Sequence, residues 1–512
     1  MTIVFGLRDN KGGFLRYDTE GNLWINGLRV VDAINMYGSP IEIVDTTIIE
    51  RRAAEWQEMA KRTAREAGYD PEKLEYFYAA KANMSSEITA AAYRSGWMAE
   101  TSGSQDLENI RWMEKRGLVN RESFRIICNG FKLPPQVYGQ PKSEYDFGVK
   151  SSVTFDQEGH RFDGDQETSY ADNIVLLRTL GFDITPILDS DELSHFAQGN
   201  EVPMMEVGLR MKMGKVSQDE ELDQLVFRHG MAWEEIKRTA KTLERVDHLN
   251  LTILHAMVGA AETMEVDSFV ENLLFAVDKY FELKKISPGL TTFNMGGRMA
   301  PRSENYDHER FLRKLLKGVK ERAEAAGLET PRLQFEFGSY LAAEAGFHAF
   351  KIIQMKRNNV DSKGEQEVWA IANLGLMGAI PDMLIIGKDN FQFLAANNGL
   401  ASPMKVRIGD LTCDSDGIWP TKAMEPRKVW IPDAPNTHMV IAGVGAYQEI
   451  LAGIRGVHHC GGLEAVELIL EKRNDGLVYA RVVPRQTSQE SRKMLGYNPK
   501  AGEALRATLV NL

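Results

Sequence analysis

The stretch EYFYAAKAN, residues 75–83, places a lysine directly after a run of aromatic and apolar residues. The run from Tyr76 to Ala80 is typical of a buried strand, whereas an ammonium group is costly to bury. The Lys81 side chain therefore either reaches water or takes part in a reaction. A lysine at the mouth of an apolar strand can lose its proton and react with a carbonyl group, and the alternative is a packed stem with a solvated head.

Similar apolar segments follow along the chain, with helical stretches between them. They are EYFYAA, GWMAET, FRIICNG, DITPILD, MEVGLRM, LNLTILHAMVG, GLTTFNMGG and RLQFEFG. Eight strands alternating with helices predict a (β/α)8 barrel, in which reactive groups lie at the carboxyl ends of the strands. Candidate residues at such ends are Lys81, Asn129, His255, Gly296 and Glu336.

The regions on either side of this alternation have a different pattern. Residues 1–45 contain short alternating segments and one helical stretch that ends at Gly38, and strand-like segments return after residue 340. We predict that residues 46–340 form the barrel and residues 341–512 a mainly β domain that includes the N-terminal strands. A polar segment at about 133–168 interrupts the barrel and is predicted to be either a lid or specificity loop, or a surface insertion.

Composition excludes several classes of function. The 512 residues include 61 basic and 72 acidic ones, a net charge of −11 that argues against nucleic acid or an anionic membrane as partner. No apolar run approaches the roughly 18 residues of a membrane span. Three cysteines indicate no disulfide framework, so we expect a cytoplasmic enzyme.

Four further motifs carry candidate site residues. FNMGGRMAP contains Gly296 and Gly297, whose backbone can approach an anion closely, and FEFGS contains a glutamate between two phenylalanines. GDLTCDSDGIW contains Cys413, and GVGAYQEI lacks the third glycine of a nucleotide loop. The segment HHC, residues 458–460, has metal-ligand residue types without zinc spacing, so no metal is predicted.

Taken in order, these motifs resemble the fold type III, alanine-racemase-like pyridoxal-phosphate enzymes, and within them the arginine, ornithine, lysine and diaminopimelate decarboxylases. YAAKAN looks like the lysine motif of that family. ICNGFK, VGAYQEIL and the segment GGLEAVELILEKRNDGLVYARVV look most like biosynthetic arginine decarboxylases. GNLWINGLRVVDAINMYGSPIEIVD is similar to the opening of diaminopimelate decarboxylases.

The resemblance implies a role for each motif at pyridoxal phosphate. Lys81 would hold the cofactor as an aldimine, and Glu336 would face the pyridine nitrogen so that the ring accepts electrons. The cofactor phosphate would be bound by three residues, Gly296, Gly297 and Tyr447.

The resemblance also implies how substrate would bind and react. Cys413 would reprotonate the carbanion left by decarboxylation, and Asp414 would hold the distal basic group of the substrate. Asp416 is either a further substrate-binding residue or a turn residue. In the family, the Cys-Asp pair enters the partner subunit's barrel, so a homodimer is expected.

Three positions depart from the family pattern near the cofactor. Met257 stands where a histidine would stack on the ring, although His255 lies two residues earlier and points to the same side of a strand. Ala260 replaces a serine, and Ser339 replaces an arginine that would reach the phosphate, a contact that Arg298 could supply. The resemblance predicts α-decarboxylation of a basic amino acid. Racemisation at the same cofactor and a non-catalytic regulatory homologue are the alternatives.

Overall fold

The computed structural model describes residues 13–132, 170–197, 202–213, 228–259, 261, 264–360, 364, 366–388, 391–421, 428–473, 475, 477–495 and 497. The predicted insertion at 133–168 and the departure at Ala260 lie outside the described residues.

The first described elements are β1 (Leu15–Tyr17), β2 (Leu23–Ile25), β3 (Leu28–Arg29), α1 (Val30–Tyr37) and β4 (Ile41–Asp45), of which β1, β2 and β3 form a small sheet of their own. The first three strands pair with one another, and α1 ends at Gly38, as the sequence predicts. Tyr17 donates a hydrogen bond to the Ala395 carbonyl at 2.9 Å, so this sheet packs against the C-terminal β domain.

Eight parallel strands form a closed barrel, which confirms the predicted (β/α)8 fold. They are β5 (Leu74–Ala79), β6 (Met98–Thr101), β7 (Arg125–Cys128), β8 (Asp183–Leu188), β9 (Met205–Met211), β10 (Leu249–Ala256), β11 (Thr292–Asn294) and β12 (Arg332–Phe337). Each strand pairs with its neighbour in chain order, and β12 pairs with β5 to close the barrel. All eight carboxyl ends therefore meet at one face.

Helices surround these strands. Their bounds are α2 (Thr46–Ala67), α3 (Ser86–Arg94), α4 (Ser104–Glu114), α5 (Tyr170–Thr179), α6 (Leu193–Ala197), α7 (Trp233–Leu243), α8 (Val266–Ile286), α9 (His308–Ala326) and α10 (Ser339–Ala342). No helix of the described residues is long and apolar enough to cross a membrane.

Helix α2 packs against the last barrel strand. The Asp45 carboxylate caps its first turn by accepting the Thr47 N–H at 3.0 Å, and Gly68 ends it in a left-handed conformation. The buried Trp56 ring of α2 meets Phe337 edge to face, with ring centroids 4.7 Å apart, and it makes similar contacts to neighbouring aromatic residues. This packing fixes the end of β12, where Glu336 lies.

The remaining elements form the mainly β domain. They are β13 (Gly346–Val360), β14 (Gln366–Ala372), α11 (Leu376–Ala379), α12 (Asp382–Ile385), β15 (Gln392–Ala395), β16 (Pro403–Gly409), β17 (Ile418–Trp419), β18 (Val429–Pro432), β19 (His438–Ala442), α13 (Gln448–Ala452), β20 (Val466–Lys472), β21 (Val478–Val483) and α14 (Ser488–Met494). Strand β4 lies inside this sheet between β13 and β20, so an N-terminal strand joins the domain as predicted.

Candidate active site

Lys81 lies at the carboxyl end of β5, in a single 3-10 turn formed by Ala80–Ala82. Its Nζ is 3.4 Å from Oε2 of Glu100, the second-to-last residue of β6. The lysine side chain is 42% exposed and the glutamate is fully buried. Burial lowers the pKa of Lys81, but the charges of Glu100 and Glu336 outweigh it and raise the pKa above its usual value. The lysine is therefore an ammonium that faces two carboxylates.

Asn129, the first residue after β7, connects those two carboxylates. Its Nδ2 donates to Glu100 Oε1 at 2.9 Å and to Glu336 Oε2 at 2.8 Å. Burial raises the pKa of Glu100, as does the charge of Glu336, whereas Lys81 lowers it, and the net shift is upward. One amide thus holds two buried acids beside the lysine.

Glu336 remains ionised at the centre of this arrangement. It is 3% exposed, and Asn294 of β11 donates a hydrogen bond to its Oε1 at 2.6 Å. Burial raises the pKa of Glu336, but His255, Lys81 and Asn294 together lower it below its usual value. Burial lowers the pKa of His255, the charge of Glu336 and the hydrogen bond to it raise it, and the net shift is downward.

His255 and Met257 both border Gly296. His255 is 1% exposed, and its ring nitrogens have no hydrogen-bond partner of ordinary geometry among the described residues, although Nε2 lies 3.5 Å from Glu336 Oε2. A Cβ at Gly296 would lie 3.4 Å from the Met257 Cγ and 3.5 Å from the His255 Nε2. The two side chains thus both face the loop that contains Gly296 and Gly297, called the glycine loop below. This agrees with the prediction that they point to the same side of the strand.

The glycine loop depends on the absence of side chains. Gly296 has φ +69°, and its N–H donates to the Asn294 Oδ1 at 2.8 Å, so this amide is already engaged. A Cβ at Gly297 would lie only 2.3 Å from the Glu336 carbonyl oxygen. Arg298 follows with φ +63° and is exposed. The loop therefore packs its backbone directly on the end of β12.

The β domain reaches the lysine turn through its own backbone. The Tyr447 N–H donates to the Ala82 carbonyl at 2.6 Å, and the Asn83 Nδ2 donates to the Gly445 carbonyl at 3.1 Å. Tyr447 has φ +68°, a conformation rare outside glycine. The backbone hydrogen bond to Ala82 places this predicted phosphate ligand beside the lysine turn. Ser339, in the position of the family arginine, begins α10 after Gly338.

Cys413, Asp414 and Asp416 lie in a loop of the β domain, between β16 and β17. Cys413 is exposed, with its Sγ 3.9 Å from the Sγ of Cys460, and Asp414 Oδ2 is 3.0 Å from His459 Nε2. The Asp416 N–H donates to Asp414 Oδ1 at 2.9 Å, which is turn geometry. All of these contacts lie within the β domain, and none of them reaches Lys81.

The HHC segment is thus brought to the Cys-Asp loop, although the two are far apart in sequence. Within the described ranges, no three His, Cys, Asp or Glu side chains are grouped so that they could hold a metal ion.

Sequence reasoning missed two residues of the barrel cluster, Glu100 and Asn294. Each is a polar residue in the last two positions of its strand, β6 and β11 respectively, within the predicted segments GWMAET and GLTTFNMGG. Position at a strand end was the signal that could have identified them, because all eight ends meet at one face.

The surroundings of Lys81 suit a planar polar ring that carries a carbonyl group, as pyridoxal phosphate does. The buried imidazole of His255 lies next to the ionised Glu336, its Nδ1 has no hydrogen-bond partner among the described residues, and the glycine loop leaves no side chain of its own beside it. The residues present therefore fit this cofactor.

Comparison of the sequence with models of protein families and with curated proteins found no match. The fold resembles solved structures. The biosynthetic arginine decarboxylase SpeA from Campylobacter jejuni is 16% identical with a TM-score of 0.73, and the match covers 97% of this chain and 92% of that chain. Diaminopimelate decarboxylase from M. jannaschii, in complex with L-lysine, is 16% identical with a TM-score of 0.69, covering 93% and 96%.

A third structure, SrLDC in complex with PLP and cadaverine, is 15% identical with a TM-score of 0.57, and the match covers 82% of this chain and 88% of that chain. At these identities the likeness establishes a shared fold, a (β/α)8 barrel with a mainly β domain.

Proposed function

We propose that this chain is a pyridoxal-phosphate-dependent enzyme that removes the α-carboxyl group of a basic amino acid. The observation that carries the proposal is the cluster of Lys81 with the buried, ionised Glu336 at the carboxyl end of the barrel. The arginine, diaminopimelate and lysine decarboxylases that share the fold support the choice of reaction. The SrLDC complex with PLP supports the choice of cofactor.

Six residues would hold the cofactor beside Lys81: His255, Met257, Gly296, Gly297, Glu336 and Tyr447. When bound, the cofactor supplies an aldehyde for an amine and a ring that accepts the electron pair released with CO₂. Glu336 keeps a negative charge in the barrel, because His255, Lys81 and the Asn294 amide lower its pKa. Met257 would cover an aromatic ring through its sulfur and cannot donate a proton to it.

Lys81 and the Cys-Asp loop would move the protons and bind the substrate. Lys81 is an ammonium in the free protein, so it must pass a proton to the neighbouring Glu100 or to solvent before its amine can react. Cys413 would donate a proton to the α-carbon after CO₂ leaves. Asp414 would pair with the distal cation of the substrate, and Asp416 would contribute to the same negative surface.

We further propose a homodimer in which Cys413 and Asp414 enter the partner subunit's barrel. The loop lies in the β domain, and Cys413 is exposed, as a residue offered to another subunit would be. We also propose that the domain boundaries lie at residues 45 and 340, so that the barrel lies between the N-terminal strands and the rest of the β domain.

The test begins with covalent attachment of the cofactor. Purified protein incubated with pyridoxal phosphate and reduced with borohydride should gain one pyridoxyl phosphate, mapped by mass spectrometry to the peptide containing Lys81. The Lys81→Ala variant should gain none, and Lys115→Ala, an exposed lysine at the end of α4, should behave as wild type. Attachment elsewhere, or none, would contradict the cofactor assignment.

The second step distinguishes the reactions. The loaded protein is incubated with basic amino acids in deuterated water, and CO₂, amine and deuterium content are measured by mass spectrometry. Decarboxylation yields CO₂ and an amine with one deuterium at the former α-carbon. Deuterium in unreacted amino acid without CO₂ would instead favour racemisation, the second candidate, over decarboxylation. An absence of both with every substrate would favour a non-catalytic homologue.

A further inference from the structure

Two of the three cysteines are in contact, although 47 positions separate them. Cys413 lies in the loop between β16 and β17, and Cys460 lies in a 3-10 turn formed by His459–Gly461. Their sulfur atoms are 3.9 Å apart and both residues are exposed. A disulfide requires about 2 Å between the sulfurs, so a movement of about 2 Å would join them. The third cysteine, Cys128, is fully buried in the barrel.

Polar contacts beside the thiols hold the two segments together. The next residue after Cys413, Asp414, contacts the residue before Cys460, His459, with Oδ2 and Nε2 3.0 Å apart. On the other side of Cys413, Thr412 donates its N–H to Asp410 Oδ1 at 2.8 Å, which anchors the loop to the end of β16. The sulfur contact is thus part of a junction between two segments.

We propose that Cys413 and Cys460 form a modification site, a dithiol that a hydroperoxide oxidises to an intramolecular disulfide. The thiolate of one cysteine attacks the peroxide, the O–O bond breaks, and a sulfenic acid and a hydroxide form. The second sulfur attacks the sulfenic sulfur, the S–O bond breaks, and the S–S bond forms. The two sulfurs lose two electrons in total, the peroxide gains them, and hydrogen peroxide leaves as two waters.

The surroundings of Cys460 and Cys128 keep both of these thiols protonated at neutral pH. Desolvation and the hydrogen bond shared with Cys413 raise the pKa of Cys460. Burial raises the pKa of Cys128 to about 11, so this thiol stays unreactive at neutral pH. Cys128 therefore serves as the thiol that should remain unoxidised when thiols are counted.

The consequence for activity rests on the proposed function. If Cys413 is the proton donor of the decarboxylase, the disulfide removes its proton and ties the Cys-Asp loop to the 458–460 segment. Hydrogen peroxide is smaller than any amino-acid substrate, so it reaches Cys413 through the opening that admits substrate even in the assembled enzyme. Oxidation then stops turnover, and a dithiol reductant restores it.

The experiment counts thiols in the full-length, cofactor-loaded protein before and after hydrogen peroxide. We expect three alkylatable thiols in the denatured reduced protein and one, Cys128, after oxidation, with peptides containing residues 413 and 460 linked and lighter by two hydrogens. Non-reducing electrophoresis should show single chains. The Cys460→Ser variant should form no linked peptide. Three remaining thiols, or a link between different chains, would overturn the proposal.

Turnover is measured in the same samples. Wild type should lose at least about tenfold in rate on oxidation and regain it with dithiothreitol, whereas Cys460→Ser without peroxide should match the reduced wild type. Unchanged turnover in fully cross-linked protein would refute the link to activity. If the thiol count falls as expected but the reduced protein decarboxylates nothing, the dithiol assignment stands and the proposed function fails.

Discussion

Replacing Asn129 by leucine, which is close in size, removes the amide that bridges Glu100 and Glu336. Two hydrogen bonds to buried carboxylates are lost, at 2.9 and 2.8 Å in the native protein. Hydrogen bonds to charged groups contribute about 1.5–3 kcal/mol each, so the variant should lose about 3–6 kcal/mol of unfolding free energy when both acids are ionised.

The loss should depend on pH. The pKa of Glu100 is raised in the folded protein, so its contribution to stability declines as pH rises from the usual glutamate pKa through the folded one. The pKa of Glu336 is lowered, and its contribution is present above the usual value and lost as pH falls. Without Asn129 the pKa values of both glutamates move upward. The loss of unfolding free energy relative to wild type should therefore be larger at pH 8 than at pH 5. At pH 5 a protonated Glu100 no longer places a negative charge beside Glu336, so losing the amide costs less.

Urea unfolding at pH 5 and pH 8, followed by tryptophan fluorescence, measures the difference from wild type at each pH. Asn109→Leu is the matched control, since this side chain only accepts a bond from Gln105 on the surface of α4 and should change stability by less than about 0.5 kcal/mol. A loss below about 1 kcal/mol at pH 8, or an equal loss at both pH values, would refute the assigned role of Asn129.

Two other substitutions test the barrel end. Gly297→Ala should destabilise the protein by about 1–3 kcal/mol, because the new Cβ would lie 2.3 Å from the Glu336 carbonyl oxygen. Gly103→Ala is the control, since a Cβ there meets nothing within 4 Å. Equal urea midpoints for the two variants would contradict the packing of the glycine loop. Trp56→Ala should lower the unfolding free energy by about 3–5 kcal/mol, since the ring is fully buried. Trp112→Ala, at a side chain that is 45% exposed, should cost less than about 1 kcal/mol, and a similar loss at both positions would count against a core role for Trp56.

The barrel was predictable because its signal is local. Each strand is a short apolar run and each helix has its own periodicity, so Lys81 and Glu336 could be placed at strand ends from the sequence. Their neighbours were harder to predict. Which polar groups pair at the barrel face depends on side-chain direction, and nothing local distinguishes Glu100, which faces Lys81, from a solvated strand-end acid.

Contacts within the β domain were less predictable still. The sequence reading treated CDSD and HHC as separate motifs, and the contact between Cys413 and Cys460 follows from loop conformations that no periodicity encodes. The N-terminal strands show the same limit. Their strand character was evident, but whether a strand enters the central sheet, as β4 does, or pairs apart from it, as β1 does, is decided by long-range pairing.

The backbone contacts between Ala82 and Tyr447 and between Asn83 and Gly445 also bear on how the protein is made. The second contact joins residues 362 positions apart, and the residues from the β domain leave the ribosome long after Phe337 completes the barrel. A nascent chain with all eight strands therefore still lacks two partners of its lysine turn. The hydrogen bonding of this turn is therefore completed only after Gly445 and Tyr447 have been synthesised, in the last third of translation.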